Sequence, residues 1–352
     1  MLAQFLDELR GGASKVIITS RSPEDWLTPQ QRFVLPLGGL DREERWEYCN
    51  AMLRDLGKSV NRNDKDLVAL MDLLGGHPLA MRAILPSLEK LSAAQVLAAL
   101  RSNLSSLNQG GDEDQAKLYA TLAFVQQSLP EEVRPLLVLV GMHEGFVDAD
   151  YVEAMAKQVD GVWTRPRIDA LMNALASAGL LRDIGQATYE MHPLLTSYLR
   201  SLDLKNVPQE VRDQWARAFA AVMGTLANRL APLELHEQRG RFHLHGQSFR
   251  HALTEAARLG MSAHIGALTQ SLAVFALHSR DFEIASRLLT SLAEHAEHLG
   301  ELDHQSSTYH QLGIVAQEKR EFTAAEQWFR KSLAICEKLN DEHGAGLAYH
   351  QG

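Results

Sequence analysis

Two stretches in the last third of the chain decide its fold: Arg280-Asp281-Phe282 followed by Ala285, and Arg320-Glu321-Phe322 followed by Ala325. They stand 40 residues apart. The same offset relates Leu272 to Leu312, Leu299-Gly300 to Leu259-Gly260 and to Leu339-Asn340, and Tyr309-His310-Gln311 to Tyr349-His350-Gln351. An internal period of this length marks an array of units that bury their apolar faces only against neighbours. The expectation is a solenoid of antiparallel helix pairs from about residue 245 onward.

Within the clearest unit, Tyr309, Leu312, Gly313, Ala325, Phe329 and the small Ser332 stand at the spacing of the tetratricopeptide signature, where small residues let paired helices approach and larger ones fill the gap. The unit resembles the longer repeat variant found behind NB-ARC domains. The unit at 266–305 is more degenerate, with Leu289 and Leu292 where an aromatic and a small residue are usual. Because an array needs a polar-faced cap and the chain stops at Gly352 a few residues into a new unit, the natural protein is expected to continue.

Working outward, 45% hydrophobic and 22% charged residues with only 7% aromatics is the balance of a Leu/Ala-rich helical protein. A formal net charge of -9 with no block of like charge argues against a nucleic-acid footprint or a polybasic membrane patch. Cys49 and Cys336 lie far apart in helical patterns, so neither a disulfide framework nor a Cys-based zinc site is signalled, which fits a reducing cytosol. Met1 to Arg10 lacks a basic n-region and an apolar h-region, and runs such as Leu136 to Val140 are too short to span a bilayer. A cytoplasmic protein, neither secreted nor membrane-spanning, is expected.

Upstream of the array, a helix at 2–10 leads through Gly11-Gly12 into the β-branched run Lys15 to Arg21, which reads as a buried strand, with a second at Arg32 to Leu37. Two strands cannot form a stable sheet alone, so most of their sheet is expected to be missing. Helices follow at 41–56, 64–74, 77–90 and 92–104, with Asp41, Asp64 and Ser92 as N-caps and Gly57 and Gly75 as stops. Gly110-Gly111 and nearby acidic residues mark a linker at 106–115. Then come helices near 116–128, 131–142, 148–158 and 165–178, a hairpin from Leu180 to Met191 turning at Gly185, and helices at 193–202 and 209–229.

Three short motifs in this order carry a resemblance. Gly11-Gly12-Ala13-Ser14 followed by the strand ending at Arg21, Gly75-Gly76-His77-Pro78-Leu79-Ala80 opening a helix, and Met191-His192-Pro193 after the hairpin are similar to the sensor strand, Gly-Leu-Pro-Leu-Ala motif and Met-His-Asp motif of STAND-class signalling NTPases of the NB-ARC/NACHT kind. The resemblance implies that Arg21 reads the γ-phosphate, Pro78 packs on the adenine and His192 contacts the β-phosphate of ADP. Residue by residue, other readings stand beside these: a strand-end arginine in solvent, a helix stop followed by proline, and a hydrogen-bonded core histidine. His77 stands at a usually apolar position and Pro193 replaces the usual Asp.

The fold implied is mainly α: a remnant of a P-loop α/β domain (1–38), a helical bundle (39–105), a linker, a winged-helix domain (116–203), a connecting helical region (204–244) and tetratricopeptide repeats (245–352). Gly57-Lys58-Ser59 is not a phosphate loop, since Met52 stands where its first glycine belongs and a helix precedes it. No apolar strand ending in paired acids holds magnesium. ADP or ATP with Mg therefore belongs to the intact protein, and this chain is expected neither to bind nucleotide tightly nor to hydrolyse ATP. Histidines 236, 243, 245 and 251 cluster without a known ligand spacing, so no metal is expected. A ligand or protein sensed by the repeats, and homo-oligomerisation in the active state, are the implied partnerships. A repeat scaffold without nucleotide switching, and a winged-helix regulator on DNA, are the alternative functions.

Overall fold

Short polar side chains fix where the first helices begin. In the computed structural model, which describes residues 2–9, 11–20, 26–28, 32–35, 37–107, 113–201 and 208–339, helix α1 (Leu2–Glu8) is followed by α2 (Arg42–Asp55), α3 (Lys65–Leu73), α4 (Pro78–Ile84) and α5 (Ala93–Leu107). Asp41 and Glu44 form a reciprocal capping box on α2, the Asp64 carboxylate accepts from the Asp66 and Leu67 amides, and Ser92 and Gln95 exchange bonds ahead of α5. Gly57 ends α2 in a left-handed conformation, with the Lys58 amide donating back to Leu53. The single helix expected over 77–90 breaks into α4 and a 3-10 turn (Leu85–Glu89), because Pro86 has no N–H to continue the ladder.

The strands expected at 15–21 and 32–37 are not formed in the described part of those runs, where Ile17 is 90% and Phe33 91% exposed. A β-branched run becomes a strand only when a neighbour takes up its N–H and C=O groups, and no described strand lies beside these two. Arg21 falls outside the described residues. The linker expected at 106–115 is shorter, since α5 runs to Leu107 and α6 (Glu113–Ser128) begins with Glu113 and Asp114 at its positive end.

A 3-10 turn (Glu131–Leu136) leads into α7 (Leu137–Met142), β1 (Phe146–Asp148), α8 (Ala149–Val159), α9 (Arg165–Ser177), β2 (Leu181–Gly185), β3 (Thr188–Met191) and α10 (Pro193–Ser201). The strands form an antiparallel sheet in the order β1-β3-β2. The expected hairpin turns one step later than Gly185, at Gln186 and Ala187, both left-handed as a tight hairpin turn requires. Strand β1 was not anticipated. Buried Asp148 joins it to the rest, capping α8 through the Asp150 and Tyr151 amides while its other oxygen accepts from Thr188 Oγ1 at 3.0 Å.

The array consists of α11 (Gln209–Leu230), α12 (Leu235–Arg258), α13 (Ser262–His278), α14 (Phe282–Leu299), α15 (Leu302–Glu318) and α16 (Phe322–Leu339). Both pairs α13/α14 and α15/α16 repeat at 40 residues, yet the turns repeat at half that. Gly260, Arg280, Gly300 and Arg320 are all left-handed, with φ between 60° and 69°. In each turn the amide of the next residue donates to an alanine carbonyl four residues before the left-handed position: Met261 to Ala256, Asp281 to Ala276, Glu301 to Ala296 and Glu321 to Ala316, at 2.8–3.0 Å. These are Schellman closures spaced twenty residues apart.

A boundary at 244/245 would cut α12, and the apolar core crosses it. One cluster of buried side chains runs from Leu122 through Val140, Ile168 and Tyr198 to Phe219, Phe249 and Leu272. The region read from sequence as a connector, α11 with the start of α12, is therefore the centre of the molecule. A second core fills the bundle from Trp46 to Leu100 and includes Phe124, so α6 belongs to both. No described helix is long and apolar enough to cross a membrane.

Two substitutions in the last pair should act in opposite directions. A Cβ on Gly313 would lie 2.4 Å from the Phe329 ring, so Gly313→Ala is expected to destabilise α15/α16 by about 1–3 kcal/mol. Arg320→Gly relieves a left-handed non-glycine residue and should stabilise the same pair by up to about 1 kcal/mol. Hydrogen exchange on α15 and α16 reads both; a neutral Gly313→Ala would mean that this contact does not set the helix separation.

Candidate functional site

The Gly75-Gly76-His77-Pro78 turn is built from backbone that favours glycine and at Gly76 requires it. Both glycines have positive φ, and a Cβ on Gly76 would lie 2.3 Å from the Leu40 carbonyl oxygen. A Cβ on Gly39 would lie equally close to the Gly75 oxygen, so the two segments touch main chain to main chain. The Leu40 amide donates to the Gly76 oxygen at 2.8 Å, and Arg45 Nε donates to the Leu40 oxygen at 2.9 Å. Pro78 then opens α4 at a position where its missing N–H costs nothing.

This turn forms one wall of a cavity of about 280 Å³. Leu37 to Gly39, His77 and the exposed Pro78 ring face α5 and α6, which supply Leu104, Leu118, Asp114, Lys117 and Thr121. The volume sits at the lower edge of the small-molecule range and suits one planar group better than a whole drug-sized ligand. Burial lowers the His77 pKa, with Asp114 opposing, so its imidazole is neutral at pH 7, and its Nδ1 has no hydrogen-bond partner. Lys117 Nζ at the rim lies 2.9 Å from Glu113 and 3.8 Å from Asp114.

His192 does not line this cavity. Its amide donates to the Leu180 oxygen at 2.9 Å and its Nδ1 accepts from the Leu194 amide at 3.2 Å, which leaves any ring proton on Nε2. A contact path joins it to the cavity wall: Arg82, one turn along α4 from Pro78, packs on Gly179, where a Cβ would meet its side chain at 2.7 Å, and Gly179 precedes Leu180. Pro78 and His192 thus stand on neighbouring elements, while Arg21 lies outside the described residues.

The repeat residues fall between helices. Gly313 packs against Phe329, and Ala325 and Phe329 share a small core with Ala316. Leu312 points the other way, into the core with Ala285 and Leu289 of the preceding pair, and Tyr309 stacks on Trp328 with centroids 5.5 Å apart. The sequence reading missed Gly39 and the α6 wall, Lys117 and Thr121. The paired glycines Gly38-Gly39 were the available signal, whereas nothing local marks α6 as facing them. Among the described residues no group of three or more His, Cys, Asp or Glu side chains could hold a metal ion, and the clustered histidines point to separate partners.

Residues 305–343 match the tetratricopeptide repeat family. No curated protein matches the chain. Among solved structures it is similar to a Signal Transduction ATPase with Numerous Domains (STAND) protein with a tetratricopeptide repeat sensor from Pyrococcus horikoshii. The identity is 18% and the TM-score 0.43, over 90% of this chain and 44% of that one, so the chain spans less than half of that protein's length. The family match at 305–343 places a tetratricopeptide repeat on α15 and α16.

Gly39→Ala tests the cavity wall. Its Cβ cannot be accommodated against the Gly75 oxygen, so the 37–40 segment should move away, with the Leu40 amide losing exchange protection and the bundle losing about 1–3 kcal/mol. An unchanged Leu40 amide would mean that the two segments are not in contact in solution.

Proposed function

We propose that the chain is the lid and sensor part of a nucleotide-switched signalling protein of the STAND class, its repeats receiving a protein or other ligand. The observation that supports this best is the cavity: Gly75, His77 and Pro78, in the order of the family's Gly-Leu-Pro-Leu-Ala motif, wall a space sized for a base. The exposed proline ring offers a flat apolar face, and a neutral His77 offers a nitrogen. The opposite wall is α6, whose other faces pack into both large cores. A ligand there would press on the element common to the bundle and the array, which is what differential affinity for two states needs.

In this reading residues 113–201 are the winged helix and His192 the β-phosphate contact of the intact protein. DNA is left out: in α9, Arg165 is taken up by Asp169 at 2.7 Å and by Asp150, and Arg167 by the Val162 oxygen, so these arginines are not free for phosphates. Lys58, the lysine of the only Gly-Lys-Ser, is bound by the Leu88 and Glu89 carbonyls. In this reading ADP or ATP with Mg is a cofactor of the intact protein, and any active homo-oligomer is formed by it. The second reading, an interaction scaffold without a switch, is favoured by the repeat at 305–343.

Titration with adenosine and ADP separates the two. The chain should bind both weakly and about equally, because the base is held here and the phosphates are not; Pro78→Ala should weaken both about tenfold, a loss of roughly 1.4 kcal/mol. No ATP turnover is expected. Binding unchanged in Pro78→Ala, or turnover that survives Arg21→Ala with His192→Ala, would overturn the nucleotide reading.

A further inference from the structure

Between α7 and β1 the chain runs along α12, and imidazoles meet there from both sides. His143 is fully buried with neither ring nitrogen hydrogen-bonded, its ring 5.3 Å from Phe219 of α11 in an edge contact. His245 of α12 is also fully buried with both nitrogens unbonded, set against Tyr151 of α8 at 5.3 Å. Three contacts fasten the same segment to α12: His251 Nδ1 lies 2.6 Å from the Met142 oxygen, the Glu144 amide donates to Ser248 Oγ at 3.0 Å, and Phe146 packs on His243.

We propose that this joint is an acid-opened coupling, in which protonation of His143 and His245 frees residues 142–151 from α12 and uncouples the three-stranded unit from the repeat array. A buried imidazolium needs an acceptor for each N–H, and neither ring has one. The carboxylates around the joint are committed. Glu144 is paired with Arg200 of α10 at 2.5 Å, Glu255 of α12 with Arg258 at 2.8 Å while lying 3.9 Å from His251, and Asp148 caps α8. Asp150, which also acts on Tyr151, is paired with Arg165 of α9. The other charges are cations: Arg241 of α12 repels a proton on His245, Arg229 of α11 with Arg241 faces Tyr151, and His251 opposes charge on His143.

Burial first, then His245 and His251, push His143 down to about 3, and burial with Arg241 pushes His245 down to about 4. Both folded values lie below the exposed value of about 6.5, so the opened form binds more protons between those limits. The coupling is therefore complete above that upper value and is lost progressively as pH falls toward the folded values.

The test is hydrogen exchange on the whole chain at pH 7 and pH 5, corrected for intrinsic rates. At pH 5 the opening equilibrium of 142–151 and of 245–252 should rise by about twentyfold relative to pH 7 for each histidine that becomes exposed, while α3 and α5, which contain no histidine, hold their protection. His143→Leu combined with His245→Phe should flatten the pH response of the joint. A response of equal size in that double variant, or uniform loss across the chain, overturns the proposal. Should the double variant not fold, the ring proton shifts of wild-type His143 and His245 decide: no titration down to pH 5 supports the coupling, and titration near 6.5 refutes it.

Discussion

A chain that must stop its helix every twenty residues has little freedom in how it stacks. The left-handed residues at 260, 280, 300 and 320 and the alanine carbonyls at 256, 276, 296 and 316 close four successive turns in one way, so each helix returns antiparallel to the last. Alanine suits the acceptor position because all four are buried, where a larger side chain would need room. Glycine takes the left-handed role in the turns between pairs and arginine within pairs, where the side chain remains in solvent. Everything else about the array follows: with helix lengths fixed, the size of residues such as Gly313 and Phe329 sets how closely each pair packs.

The array is not an appendage. Its first helix, α11, packs on α7 and α8 on one side and on α12 and α13 on the other, with Phe219 fully buried at the crossing. Helix α6 extends the connection to the bundle and to the cavity at Pro78. A stimulus at the repeats and a ligand at the cavity would act on one packed body, and the histidine joint lies within it, between the α7–β1 segment and α12.

Much of this was legible in the sequence because it is written in local chemistry. The caps at Asp41, Asp64 and Ser92 and the hairpin before His192 rest on residues a few positions apart, and the 40-residue period shows as the same local pattern written twice. What was hidden depends on distant partners. The twenty-residue turn escaped notice because arginine replaces glycine at alternate turns. The expected boundary at 244/245 falls inside α12 because the buried face of that helix carries Gln238, His245 and Ser248 among the apolar residues, blurring its stripe. The run Val16 to Ile18 has strand propensity, yet propensity without a partner leaves it exposed. Of the site, the Gly75–Pro78 wall was readable, whereas α6 becomes its counterpart only through folding.

The central claim is that the three-stranded unit and the start of the array share one core through α11. Phe219→Ala removes the largest fully buried side chain of that helix, at a cost of about 3–5 kcal/mol for such truncations. Hydrogen exchange on this variant should show α7 and α8 losing protection together with α12 and α13, while α3, α5 and α16 keep theirs. Loss confined to α7 and α8, with α12 and α13 as protected as in the wild type, would contradict the account.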